Sequence, residues 1–259
     1  MAMGLLDMFK NLLDSSFKVV ADAPPLTPEQ ERGLALGAMY APDDLLPINA
    51  LTTESDPRAA ARLLDVAWGI TDAETARATY ALLLRGGGHR TLYSCVRDHL
   101  DAGWDLPRSD ERARLERATR EIPAVAVEHG ERPDIALRYF NAAWPHRAKM
   151  QRPHPRRIIT SIAAWDAARV VHLSRFILDA GLLDPSEAWS AIAEATAMCR
   201  PEYASWEEFQ LGFLAGRAFW QSSTGGFDWM EIGRDYRRFV GCGKQLLTRG
   251  DSPWVRVGW

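Results

Sequence analysis

The stretch Ile158-Ile159-Thr160-Ser161-Ile162-Ala163-Ala164-Trp165-Asp166-Ala167-Ala168-Arg169-Val170-Val171-His172-Leu173-Ser174-Arg175-Phe176-Ile177-Leu178-Asp179-Ala180-Gly181 decides the fold. Ile158, Ile162, Trp165, Val170, Leu173, Phe176 and Ile177 recur with helical spacing over a run too long for a strand, and Gly181 supplies the stop. Directly after it, Asp184-Pro185-Ser186-Glu187 reads as a capping box with proline at the first helical position, launching a second helix to Cys199. Two helices joined by so short a link form an antiparallel hairpin.

Working outward, the same chemistry repeats. Thr27-Pro28 with Gln30 opens a helix, and Asp56-Pro57 opens another that runs to Trp68 and stops at Gly69. Thr71 to Glu74 reads as a capping box for a helix toward Leu84, ended by Gly86-Gly87-Gly88. Helices are expected over Thr91–Leu100, Ser109–Val127 and Pro133–Trp144, and the Pro-rich, basic stretch from His146 to Arg157 reads as a long connection. Ser205-Trp206-Glu207-Glu208 caps a helix to about Gln221, and a last helix spans Trp229 to Leu247. Sustained period-two alternation and hairpin dipeptides are missing. The expectation is an all-α, compact multi-helix domain of antiparallel helical hairpins over residues 28–259, with roughly nine to eleven helices.

The apolar residues Leu5, Leu6, Phe9, Leu12, Leu13, Phe17 and Val20 predict an amphipathic helix over residues 1–20 docked on the domain, with residues 21–27, which hold Pro24-Pro25, as a linker. Use of that helix as a peripheral membrane contact is the alternative, but the Lys/Arg-rich polar face of such helices is lacking. The sequence shows neither a targeting leader nor an apolar run long enough to span a bilayer. The 259 residues carry 31 basic and 34 acidic side chains, a formal net charge of -3 that argues against a nucleic-acid binder. The three scattered cysteines, Cys95, Cys199 and Cys242, point to a reducing, cytoplasmic compartment.

Several of these pieces together resemble the bacterial domain-of-unknown-function family 1266, the YbeU-like proteins. The matching stretches are Leu34–Ala38, Trp68-Gly69-Ile70, Gly88-His89-Arg90, Ala164–Arg169, Gly181 with Glu187-Ala188-Trp189, Ser205–Phe209, Gly216–Trp220 and Ser252-Pro253-Trp254. The specific part is Trp165-Asp166 with Arg169, paired with Ser205-Trp206 and Gly216-Arg217 with Trp220. The resemblance implies a bacterial, mostly helical protein and carries over no catalytic residue.

The residues that invite chemistry are charges on apolar faces. Positions 162, 166, 169, 173 and 176 share one helix face, so Asp166 and Arg169 point at or beside the core, and Arg217 shares its face with Phe209, Phe213 and Trp220. Unpaired burial of such groups is costly, so they form either an internal ion network or a polar pocket floored by Trp165, Trp206 and Trp220 that takes an anionic ligand. Gly-Gly-Gly-His89-Arg90 matches no phosphate-loop pattern and reads as a helix end. Arg147, Lys149, Arg152, Arg156 and Arg157, with His146 and His154, form one basic cluster beside Trp144, read as a solvated connection or a docking site for an acidic protein. Histidine and cysteine spacing offers no metal site, and no cofactor motif is present. Of the ten tryptophans most fall at core positions, while Trp254 and Trp259 either tuck the tail back or form a partner patch. The expected function is a non-enzymatic protein-interaction module, of accessory or immunity type. The alternative is a small-molecule-binding protein or enzyme using the Asp/Arg/Trp pocket.

Overall fold

The computed structural model describes residues 17–86, 88–101, 109–153 and 157–259. Among them the fold is all-α. The helices are α1 (Pro28–Leu36), α2 (Ala41–Asp44), α3 (Pro57–Trp68), α4 (Ala73–Leu84), α5 (His89–Leu100), α6 (Ser109–Glu128), α7 (Pro133–Ala143), α8 (Ala163–Asp179), α9 (Pro185–Cys199), α10 (Trp206–Thr224), α11 (Trp229–Thr248) and α12 (Pro253–Arg256), with 3-10 turns at Ala38–Tyr40 and Trp144–Met150. The described residues hold no strand, only one isolated antiparallel bridge between Gln151 and Ile158.

Caps set most boundaries. Thr27 and Gln30 close a reciprocal capping box, and Asp56, Asp184 and Ser205 each accept backbone N–H groups of the helix they open. At α4 the cap is Asp72 rather than Thr71, and Thr75 rather than Glu74 completes the box, because the Asp72 carboxylate reaches the Thr75 N–H at 2.8 Å. Gly69 and Gly181 end their helices at φ 65° and 70°, where a Cβ is penalised.

Helix α8 is the hub. It packs against α1, α3, α4, α9 and α10, and 13 of its 17 residues are buried, so it has no solvent face. Its start is shifted from the sequence expectation. Ile158 and Ile159 lie in a bridge and loop, and the helix begins only after Ile162, whose backbone is non-helical. Alanines and glycines let neighbours come close: Gly37 backs onto Val171, and Gly216 onto Trp165. A second core, built by α5, α6, α7 and Trp144–Met150, joins the first through Ile162 and through Ala215, Ala218 and Phe219 of α10.

Three further expectations change. The basic stretch from His146 is not a solvated connection along its first half. Trp144–Met150 is a 3-10 helix packed on α10, with Trp144, His146 and Met150 buried. Residues 17–20 form no helix; Phe17 is buried and its N–H donates to Asp251, while Val20 exchanges hydrogen bonds with the Asn49 amide. Residues 21–27 run along the domain, with Leu26 packed on the core. The predicted helix up to residue 16, and Gly87, His154 and Arg156, lie outside the described residues.

A Cβ added at Gly216 would sit 2.7 Å from the Cβ of Trp165. Gly216→Val should therefore destabilise the fold by about 1–3 kcal/mol in urea titrations, while Gly226→Ala, with nothing within 4 Å of the new Cβ, should stay within about 0.5 kcal/mol.

Candidate functional site

Asp166 sits in the first turn of α8 with its side chain 1% exposed. Arg169, one turn on, pairs with one carboxylate oxygen, and Arg90 of α5 approaches the other at 3.5 Å (Nε to Oδ2). Two guanidinia thus share one buried carboxylate. The Arg169 guanidinium lies over Trp165, 3.5 Å from the ring centroid, and 5.6 Å from that of Trp68. Arg90 also donates to the carbonyls of Leu83 and Leu84 at the end of α4, so one side chain stitches α4, α5 and α8. Burial pushes the Asp166 carboxyl above the usual carboxylate range, against the pull of Arg169 and Arg90. Protonation would leave two largely buried cations unpaired, so the charged state is the one its surroundings support.

Arg217 does not join this group. Its Nε and one terminal nitrogen form a fork with Asp235 of α11 at 2.6 and 3.0 Å, and its guanidinium covers Phe239 at 4.4 Å. Tyr40 is buried in the first core and feels the charges of both Arg217 and Arg169; burial raises its hydroxyl pKa against them. Trp165 and Trp220 are neighbours, with centroids 5.7 Å apart. Trp206 is not. It stacks on Trp254 at 5.0 Å and meets Trp259 edge-on at 4.8 Å, because its indole N–H donates to the Val257 carbonyl. The tail is thereby tucked in: Trp254 donates to Ala35 O and Trp259 to Tyr203 O. Of six side chains expected to gather, Trp165, Asp166, Arg169 and Trp220 are brought together. Arg217 touches them only through Trp220, whose ring its guanidinium approaches at 5.7 Å, and Trp206 belongs to the tail clamp.

Of the basic cluster, Arg147 lies over the Trp144 ring and pairs with Glu111 at 3.5 Å. Arg152 pairs with Glu208 at 2.8 Å, and Arg157 is exposed. Lys149 sits 4.5 Å over the Trp229 ring, which also stacks on His146. Burial, reinforced by the charge of Arg237, pulls the Lys149 ammonium below its usual range.

Several residues escaped the sequence reading. Arg175 is buried yet donates to the carbonyls of Pro47 and Thr52, and Asp179 accepts from Thr52 Oγ1 and the Thr53 N–H. The available signal was their place in a helix with no polar face. Asp235 had none, since its pairing with Arg217 is tertiary. Among the described residues no cluster of histidine, cysteine or acidic side chains is arranged to hold a metal ion, and no helix is long and apolar enough to cross a membrane.

The fold and this closed ionic core define an all-α protein organised around a fully wrapped central helix. A family model described as "Protein of unknown function (DUF1266)" matches residues 63–259, and the chain belongs to that family. No curated protein and no solved structure matches it significantly.

Two outcomes follow from the ionic core. Asp166→Ala strands two guanidinia and should destabilise by about 3–5 kcal/mol, whereas Arg217→Ala leaves Asp235 with Arg238 at 3.3 Å and should cost less, about 1–3 kcal/mol, both read as shifts in urea midpoint. His89 and His172 supply a pH dependence. Burial, helped by Arg169, lowers His89 to about 4; burial, helped by Arg175 and Arg217, lowers His172 to about 3. The unfolded chain takes up these protons near pH 6.5, so stability is full above that value and falls as pH drops toward 4. Each imidazole should contribute about 2 kcal/mol of loss between pH 6.5 and 4.5, and His89→Gln should flatten the slope correspondingly.

Proposed function

We propose that the protein is a non-enzymatic interaction module of the bacterial cytoplasm, of accessory or immunity type, that docks an acidic segment of a protein partner on the outer face of α11. The observation that carries this reading is an exposed aromatic patch beside a row of cations. Trp229 is 60% and Met230 69% exposed, with Phe227 alongside. Met230, Arg234, Arg237, Gly241 and Lys244 follow one another at helical spacing, all exposed. Lys149 extends the row from the neighbouring 3-10 helix. Tryptophan, methionine and arginine are the types that anchor interfaces, and the cations select an acidic counterpart.

Support for a non-catalytic role comes from the ionic core, whose carboxylate is spent on two arginines and whose Arg217 is held in a fork by Asp235. Support for a reducing compartment comes from Cys95, Cys199 and Cys242, all buried and none in a disulfide. The pocket alternative gains little, since Asp166 is sealed from solvent.

A photo-reactive residue placed at position 230 in native cells should yield a discrete protein adduct. Its yield should fall about tenfold or more in the Trp229→Ala background, as expected for loss of an interface anchor, and again in Arg234→Glu/Arg237→Glu. Adducts to nucleic acid, or adduct yields indifferent to both variants, would refute the reading.

A further inference from the structure

A second surface, away from α11, has the chemistry of a binding site. Between the end of α4, one face of α5 and the approach to α8 lies a cleft of about 300 Å³. Arg85, Arg90 and Arg97 line it, together with the Ser161 hydroxyl, and Glu202 is the one carboxylate in the lining. Arg85 has no ion-pair partner among the described residues, and Arg97, whose Nη1 donates to the Thr160 carbonyl, pairs at 3.6 Å with Asp98, itself 83% exposed. Ser161 Oγ accepts from the Ala163 N–H, which leaves its own proton to give.

The floor of this cleft connects to the ionic core. Arg90 and Arg169 share the single carboxylate Asp166, so the buried cluster carries one positive charge more than it neutralises. Arg169 is committed to Asp166 and to the faces of Trp165 and Trp68. Arg90, 17% exposed, also lines the cleft, with Nη2 on the Leu83 and Leu84 carbonyls and Nη1 against Met198 Sδ. A buried excess cation favours an anion wherever one has room to approach, and the room here is in the cleft beside Arg90, where the exposed Arg85 stands.

We infer that this cleft binds a small phosphorylated molecule, its phosphate held among Arg85, Arg90 and Arg97. Guanidinium forks match phosphate oxygens in pairs, and three of them around one cavity suit a tetrahedral dianion better than a planar carboxylate. The site is independent of the α11 surface, since no residue of α11 lines it.

The test is a titration of the full chain with inorganic phosphate, read by calorimetry and by thermal unfolding, against sodium chloride of equal ionic strength and against acetate. Saturable binding and a rise in unfolding temperature are expected with phosphate, and not with chloride or acetate. Arg85→Ala, a change of an exposed side chain, should weaken phosphate binding about tenfold while leaving the phosphate-free unfolding temperature unchanged, and Arg97→Ala, which also loses the hydrogen bond to Thr160, should weaken it about tenfold with a small fall in that temperature. Arg234→Ala/Arg237→Ala should leave the affinity intact. The inference is overturned if phosphate acts no differently from chloride, if acetate binds as tightly, if Arg85→Ala and Arg97→Ala keep wild-type affinity, or if the α11 variant is the one that loses it.

Discussion

A helix wrapped on every side has to settle its polar groups inside the protein, and α8 does so only in part: Asp166, Ser174, Arg175 and Asp179 find partners, while Trp165 Nε1, Arg169 Nε, His172 Nδ1, Arg175 Nε and one Asp166 oxygen have no hydrogen-bond partner among the described residues. Asp166 takes Arg169 from its own helix and Arg90 from α5. Ser174 donates to Val170 O and accepts from the Tyr80 hydroxyl of α4 at 2.9 Å. Arg175 and Asp179 reach the segment 47–53. His172 stays neutral against Tyr40 and Phe176. Each polar contact names a different neighbour. Apolar burial supplies the drive to wrap the helix, but it is non-directional; the polar contacts fix which element lies where. Such groups add little stability over an apolar replacement and cost much when one partner is lost.

The second requirement is that two cores share one chain. Helix α10 does this by giving Phe209, Phe213 and Leu214 to the first core and Ala215, Ala218 and Phe219 to the second. Gly216 stands where α10 crosses Trp165, and a side chain there would push the two helices apart. The tail then locks the assembly. Trp254 and Trp259 close over Trp206 and Phe209 and satisfy their indole N–H groups on carbonyls of α1 and of the link before α10. Three tryptophans close the tail in this way, and among the described residues Trp229 is the exposed tryptophan.

Local chemistry was legible in the sequence and tertiary pairing was not. The caps at Thr27, Asp56, Asp184 and Ser205 could be read because a side chain and a backbone N–H two or three residues away settle them. At Asp72 two adjacent residues compete for the cap, and spacing alone does not choose between threonine and aspartate. Helical phase placed Asp166, Arg169 and Arg217 inward, as found, but phase has no information about partners. It could not give Arg90 or Asp235, nor send Trp206 to the tail instead of to Trp165. Proline and basic residues made 146–157 look like a connection; the 3-10 turn at Trp144–Met150 forms because Trp144, His146 and Met150 find cover that only the folded α7, α10 and α11 provide.

The balance of charge explains why a chain with a net charge of -3 presents cationic surfaces at all. Its acidic residues are largely spent locally. Asp56, Asp72, Asp184 and Asp228 cap helices; Glu116 and Glu121 pair with arginines one turn earlier on α6; Asp166, Asp179 and Asp235 work inside the fold. A carboxylate consumed by a cap or a neighbouring arginine cannot neutralise a distant cation, since screening removes interactions beyond roughly 10 Å at ordinary salt. The cations of α11 and of the cleft at Arg85 are what remains after that local spending. They differ in kind: the first group is exposed beside Trp229 and Met230 and fits an extended macromolecular partner, the second is concave, polar and backed by a buried excess charge and fits a small anion. Net charge, a sum over the whole chain, is silent on both.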